Sequence, residues 1–278
     1  MTRFLNYLAF KVRRWKIQLG STILHNIPFF QSTTKGVVMP GFNCYGCPLA
    51  TGACPIGTIQ HFVTIKETPF YALGVLGAIG AVFGRMPCGF ICPFGFLQDL
   101  LYKLKTPKIE VSNRFGWFKY VVLVVLVFVI PFITLEPWFC KLCPIGALEA
   151  GIPWVIIDSG IRSAVGLLYF IKIFILLSFI AAMITIKRPF CRFFCPLGAV
   201  YSLFNRVSMI QMEVDESLCS YCDLCKDVCP MDLAIYESPN TEQCIRCFEC
   251  VKACPTGAIS VSIRQSVTLP ILNRKQVG

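Results

Sequence analysis

Hydrophobic and polar positions do not alternate evenly along this chain; they gather into long apolar blocks bounded by charge. The first block runs from Pro69 to Met86 ("PFYALGVLGAIGAVFGRM"), the second from Trp117 to Leu135 ("WFKYVVLVVLVFVIPFITL") and the third from Ile161 to Lys187 ("IRSAVGLLYFIKIFILLSFIAAMITIK"). Each approaches the roughly 20 residues that a helix needs to cross a bilayer core of about 30 Å. The pattern therefore predicts three membrane helices. A weaker apolar segment, Ile17 to Phe30, follows the basic cluster Lys11, Arg13, Arg14 and Lys16. It is expected either as a short, half-buried membrane helix or as an amphipathic helix on the surface. His25 and Asn26 inside it, with no small-residue cleavage site after it, do not read as a signal peptide.

Composition agrees with the blocks. Hydrophobic residues make up 55% and charged residues 15%, too oily for an ordinary soluble domain. A formal charge of +11 would draw nucleic acid if it formed a patch, but the positives sit at the ends of the apolar blocks. Arg85, Lys103, Lys105, Lys108, Arg114 and Lys119 run from the end of the first block to the start of the second; Lys187, Arg188, Arg192 and Arg206 run on from the end of the third; Lys141 stands alone between the second and third. That asymmetry is the positive-inside pattern. The expected partner is the lipid bilayer, with no nucleic acid, and the basic side is expected in the cytoplasm. If residues 17–30 also cross, residues 31–68 fall outside together with Cys140 and Cys143.

Seventeen cysteines change the picture most. "CSYCDLCKDVCP" and "CIRCFECVKACP" near the end both follow C-x2-C-x2-C-x3-C-P, the spacing of bacterial two-cluster ferredoxins, in which the fourth cysteine of each run reaches the other cluster. The spacing assigns Cys219, Cys222, Cys225 and Cys254 to one [4Fe–4S] cluster, and Cys244, Cys247, Cys250 and Cys229 to a second. From residue 211 to 264 there are four basic and nine acidic residues, net −5, against net +16 for the remainder. An acidic lobe resting on a basic membrane face is electrostatically favourable.

The other nine cysteines fall in a repeat. "CPIGTIQ" begins at Cys54, "CPFGFLQ" at Cys92, "CPIGALE" at Cys143 and "CPLGAVY" at Cys195, and the lobe's own "CPTGAIS" at Cys254 has the same form. Each reads as a ligand, a turn and a helix start, with proline where its missing N–H is harmless and a helix N-terminus favouring an anionic cluster. The chain thus reads as two halves, each ending in a matched pair after an apolar block: "CGFICPFG" with Cys88 and Cys92, and "CRFFCPLG" with Cys191 and Cys195. Those four thiols are expected to hold a third [4Fe–4S] cluster on the inner side. Cys44, Cys47, Cys54, Cys140 and Cys143 make up the outer set, able to hold a fourth cluster with one thiol spare. Disulfides are the alternative for Cys44/Cys47 and Cys140/Cys143 in an oxidising compartment.

The remaining chemistry is sparse. Lys172 lies inside the third block, where a charge marks a functional position or snorkels. Gly74, Gly77, Gly80 and Gly84 share one helical face and are expected to allow close helix packing. His25 and His61 are the two histidines, and no acid–base pair or nucleophile stands out, so no catalytic residue is assigned.

The paired "CGFICP" and "CRFFCP" motifs followed by the two-cluster tail resemble the NapH/NosR-type membrane ferredoxin family over residues 69–264. The resemblance implies a membrane electron carrier, in that family often a quinol dehydrogenase component serving a partner reductase. The front part, "NCYGCPLATGACPIGTIQHF" with "FCKLCPIGALEAG", looks like a subgroup of anaerobe membrane polyferredoxins. The expected architecture is mainly α: a polytopic helical membrane domain with a pseudo-repeat over residues 1–210, an α+β ferredoxin-like domain over 211–264 and a tail over 265–278. The expected function is an electron relay between a cytoplasmic lobe and membrane clusters, and on to an external acceptor. Redox partner proteins are implied: a cytoplasmic donor or acceptor and an external reductase or flavoprotein. The alternatives are a quinone/quinol oxidoreductase subunit, with quinone docked near His25 or His61, and a thiol–disulfide relay through the outer cysteine pairs.

Overall fold

The computed structural model describes residues 13–27 and 34–264; Lys11, residues 28–30 and the tail 265–278 lie outside the described residues. Helix α1 (Arg14–His25) lies against α4 (Met86–Phe90) and α5 (Pro93–Tyr102). It has 12 residues, too few for a full span. It is also amphipathic in the sense opposite to a soluble helix. Arg14, Gln18 and His25 are buried, while Trp15, Ile17, Leu19, Ile23 and Leu24 are exposed.

The first apolar block forms α3 (Phe70–Phe83), only 14 residues. It stops at Gly84, whose φ of +59° is open to glycine and strained for other residues. The second block forms a 22-residue helix, α6 (Asn113–Thr134), and the third a 19-residue helix, α9 (Leu167–Thr185). These two are long and apolar enough to cross a membrane. On α9, Leu167, Phe170, Phe174 and Leu177 stand 58–76% exposed along one stripe. Such a face is unfavourable in water and suits lipid. The glycine face is only partly a packing face: Gly74 and Gly77 look into open space, Gly80 meets the Phe204 ring and Gly84 meets Asn205 and Arg246. Between the long helices, α2 (Pro55–Thr64), α7 (Trp138–Leu142), α8 (Pro144–Ile157), α10 (Phe190–Phe194) and α11 (Pro196–Phe204) close the bundle.

The C-terminal lobe is built on a two-stranded antiparallel sheet, β1 (Ile210–Val214) with β2 (Ile259–Ile263), in register Ile210↔Ile263 to Val214↔Ile259. Ile210, Met212, Ile259 and Val261 are buried and pack on Cys225, Cys244 and Cys250. Two short helices, α12 (Leu224–Asp227) and α13 (Glu249–Ala253), carry the cysteine runs.

One charged network ties α1, α5 and the chain after α9 together. Asp99 accepts from Arg188 Nε at 2.7 Å and Nη2 at 2.6 Å, from Gln18 at 3.1 Å and from Arg14. Burial opposes ionisation of Asp99, but the Arg188 and Arg14 guanidiniums outweigh it and hold the carboxyl below its ordinary value. Removing one partner of such a buried pair costs about 3–5 kcal/mol. Asp99→Ala is therefore expected to lower the unfolding temperature in detergent. The wild-type contribution is fully present above the unfolded carboxylate value of about 3.9 and is lost as pH falls below it, through the depressed folded value. Thermal unfolding against pH checks this: the gap between wild type and variant closes in acid.

Candidate functional site

All four Cys-Pro-x-Gly copies in the bundle adopt one local form. Cys54, Cys92, Cys143 and Cys195 have φ between −65° and −75° and ψ between 109° and 123°, and a proline opens the helix that follows. In each, the backbone N–H of the glycine three residues on points at the cysteine sulfur: Gly57 at Cys54, Gly95 at Cys92, Gly146 at Cys143 and Gly198 at Cys195. A side chain at these glycines would intrude on the thiols or their cationic neighbours. A Cβ at Gly198 would lie 2.7 Å from Arg85 Nη2 and 3.3 Å from the Cys195 sulfur, and one at Gly146 would lie 3.5 Å from the Cys44 sulfur.

The thiols gather in sets of four. Cys219, Cys222, Cys225 and Cys254 line one hollow in the lobe. Cys229, Cys244, Cys247 and Cys250 act electrostatically on one another. In the bundle, Cys88, Cys92, Cys191 and Cys195 form a third set, and Cys44, Cys54, Cys140 and Cys143 a fourth. All seventeen cysteines are free thiols; Cys47 acts on Cys44 but does not line the cavity that Cys44 lines. Among the described residues no three Cys, His, Asp or Glu side chains meet at the point a single ion would take.

These cradles fit a [4Fe–4S] cluster. A four-iron cube needs thiols that surround a space, with N–H groups aimed at sulfur, and both features are present. Burial first, and then the neighbouring thiols, push Cys92, Cys140 and Cys229 up to about 12. Four thiolates are therefore unfavourable there without a cation, and iron binding would displace the protons. The buried Arg85 Nε and Gln98 Oε1 have no partner of their own.

The third set is also surrounded by residues that the sequence reading assigned to topology alone. Arg85, Lys119, Arg188 and Arg192, counted there as positives at span ends, are 0–1% exposed and turn inward. Arg85 donates to Cys191 O at 2.5 Å and to Gln243 and Glu242 carbonyls at 3.2 and 3.1 Å, and it reaches the Cys88 sulfur. Arg188 donates to Cys88 O at 3.0 Å, and Gln98 Nε2 to the Cys191 sulfur at 3.0 Å. Lys119 reaches Ser202 at 2.7 Å and Gln243 at 3.2 Å. The positives that stay exposed, among them Lys103, Lys105, Lys108 and Arg114, keep the asymmetry on the same side. A signal was present in "GRMPCGF" and "KRPFCRFFC", where an arginine precedes the first cysteine by three residues, one helical turn away.

The lobe is docked directly on this set. A Cβ at Gly89, between Cys88 and Cys92, would lie 2.7 Å from Ile245 O and 3.6 Å from Cys247 Cβ, so the "CGFIC" turn and the "CIRC" loop touch through backbone. Asn205 donates to Cys244 O at 2.6 Å, and Arg246 to Phe83 O at 3.2 Å. The lobe's acids meet the bundle's bases, Asp232 with Lys187 at 3.3 Å and Glu242 with Arg206 at 3.5 Å, and the Tyr120 hydroxyl donates to Glu242 at 2.8 Å.

Of the two histidines, His61 lines the cavity beside the fourth set. His25 is buried with Nδ1 2.7 Å from Ser21 O.

The comparisons with known proteins point to the same class of cofactor. A family model described as a 4Fe-4S binding domain matches three times, over residues 68–111, 116–156 and 167–211. A second with the same description matches over 212–233 and 238–260. An uncharacterized protein of Methanocaldococcus jannaschii is 35% identical over 221 residues, covering 75% of this chain and 86% of its own. A second from that organism is 34% identical over 219 residues, covering 74% and 77%. The chain belongs to the NapH/NosR-type membrane 4Fe-4S ferredoxin family. The ferredoxin-type protein NapH of Haemophilus influenzae is 26% identical over 214 residues, 70% of this chain and 65% of that one. No solved structure matches the chain at a significant level. This family member is thus a ferredoxin-type iron–sulfur electron-transfer protein, and its 4Fe-4S matches cover Cys88, Cys92, Cys140, Cys143, Cys191 and Cys195 as well as the lobe.

Proposed function

We propose that the chain is a multi-pass membrane electron relay whose path runs from the ferredoxin-like lobe into the bundle through the Cys88/Cys92/Cys191/Cys195 site. Two [4Fe–4S] clusters in the lobe, on Cys219, Cys222, Cys225 and Cys254 and on Cys244, Cys247, Cys250 and Cys229, and a third on the paired motifs carry one electron at a time. The observation that carries the reading is the backbone contact of Gly89 with Ile245, which leaves no layer of side chains between the two thiol sets. The protein's own groups do the rest. The thiols hold the clusters, the glycine N–H groups and Gln98 donate to sulfur, buried packing excludes water, and Arg85, Arg188 and Lys119 offset negative charge. Together these fix the potentials.

The exposed basic residues Lys103, Lys105, Lys108 and Arg114 support a cytoplasmic lobe, and redox proteins on either side are the partners. Quinone use has one observation in its favour, His61 at the edge of a mostly apolar cavity. A thiol–disulfide relay is less well supported, because Cys44 lines that cavity and Cys47 does not.

The relay is tested in sealed vesicles with the lobe outward and a water-soluble acceptor trapped inside. A membrane-impermeant reductant added outside is expected to reduce the trapped acceptor without added quinone. Reduction of the lobe with no reduction of the acceptor would overturn the transmembrane relay, and reduction that appears only with added quinone would transfer the role to the quinone reading.

A further inference from the structure

The fourth set of thiols lies at the other end of the bundle from the lobe, around a cavity of about 570 Å³ lined by Cys44, Cys54, Cys140 and Cys143. That volume falls within the range of about 300–1,000 Å³ usual for bound small molecules and cofactors. The four thiols come from separate pieces of chain: Cys44 from the loop before α2, Cys54 at the start of α2, Cys140 on α7 and Cys143 at the start of α8. Polar side chains hold the pieces that carry Cys140 and Cys44. Gln60, fully buried, accepts from Cys140 N–H at 3.1 Å and donates to Leu126 O at 2.8 Å. Glu149 accepts from Cys44 N–H at 2.6 Å, and Trp154 donates to Gly46 O at 2.6 Å.

One further observation points to an anionic occupant. Lys172 is a cation inside α9, a costly position without an anion, and among the described residues no carboxylate pairs with it. Instead it acts on Cys44 and Cys140, and its Nζ would lie 3.3 Å from a Cβ at Gly146. Cys47 is buried and near enough to act on Cys44, but it does not line the cavity; its sulfur accepts from Leu49 N–H at 3.4 Å.

We propose that Cys44, Cys54, Cys140 and Cys143 hold a fourth [4Fe–4S] cluster, that Lys172 is its counter-charge, and that Cys47 is not a ligand. This assignment rests on the electron-relay reading and supplies its far terminus. Phe42 lies between the two bundle sites. Its backbone runs beside Cys92, its ring stands 6.0 Å from Phe190 and 6.4 Å from Phe139, and it lines the far cavity. Tyr45 and His61, which line that cavity, are exposed, so an acceptor would approach the site past them.

The test uses the full chain, purified without oxygen, as wild type and as Cys140→Ser, Cys47→Ser and Lys172→Gln variants. Cys140→Ser is expected to lose about four irons per chain, and Cys47→Ser none. Lys172→Gln is expected to keep its iron and to move the midpoint of one cluster to a more negative potential, since losing a nearby cation disfavours the reduced form. Unchanged iron in Cys140→Ser, or iron lost in Cys47→Ser, overturns the assignment. If Cys140→Ser does not fold, the potential of Lys172→Gln decides: no shift in any cluster removes Lys172 from the site. Loss of iron in a Cys92→Ser/Cys195→Ser variant but not in Cys140→Ser would remove the fourth site alone and leave the third standing.

Discussion

A Cys92→Ser/Cys195→Ser double variant is expected to keep a reducible lobe and to pass no electrons beyond it. The two cysteines come from helices 103 residues apart in sequence, and each begins its helix with the same extended φ/ψ and the same glycine N–H at sulfur. Neither half can surround a cube alone, so loss of one thiol from each half removes the site. The eight lobe cysteines are untouched, and the β1/β2 sheet with its own buried face does not depend on them. Iron should fall by about four per chain, and transfer to an acceptor trapped inside vesicles should cease. A variant with full iron, or one that still reduces the trapped acceptor, would show that the path avoids this site.

Arg85→Met is expected to have the second largest effect, on both assembly and potential. Methionine fills much of the volume but leaves the carbonyls of Cys191, Glu242 and Gln243 without their donor. Each buried acceptor left unpaired costs about 1–3 kcal/mol, and these carbonyls belong to the bundle and to the lobe loop alike. The variant should therefore unfold at a lower temperature, with the lobe loosened from the bundle. Where iron is retained, the third site should titrate at a more negative potential, because a cation in contact with Cys88 is gone. Arg85→Lys keeps the charge but not the forked donors, so it should recover more of the potential than of the stability. Potentiometric titration beside thermal unfolding separates the two, and equal behaviour of the two variants in both would mean that Arg85 has no electrostatic role.

The cysteine chemistry was legible in the chain because spacing constrains local geometry: the two C-x2-C-x2-C-x3-C-P runs and the Cys-Pro-x-Gly turns each depend on a few neighbouring residues. The long apolar blocks were legible for the same reason, although the first proved to be a 14-residue helix, ended by the left-handed Gly84, and the third begins at Leu167 rather than Ile161. What escaped were contacts between distant segments. Arg85, Arg188 and Arg192 look like span-end positives in sequence, and only folding brings them under the lobe. Asp99 is, in sequence, one of two acids among the bases that separate the first two blocks, yet it joins Arg14 and Arg188. The choice among the five front cysteines depends on which sulfurs face a common cavity, and spacing cannot express that: Cys44 and Cys47 are three residues apart, yet Cys44 lines the cavity and Cys47 does not.

The central claim is that the matched pairs in the bundle are two halves of one cluster site joined to the lobe. Iron and acid-labile sulfide per chain, measured on anaerobic wild type and on the Cys92→Ser/Cys195→Ser variant, test it most directly. At four irons per [4Fe–4S] cluster, the account predicts about sixteen irons in the wild type with all four sites filled, and about twelve in the variant. A value of about eight in both would contradict it, leaving a two-cluster ferredoxin on a helical anchor.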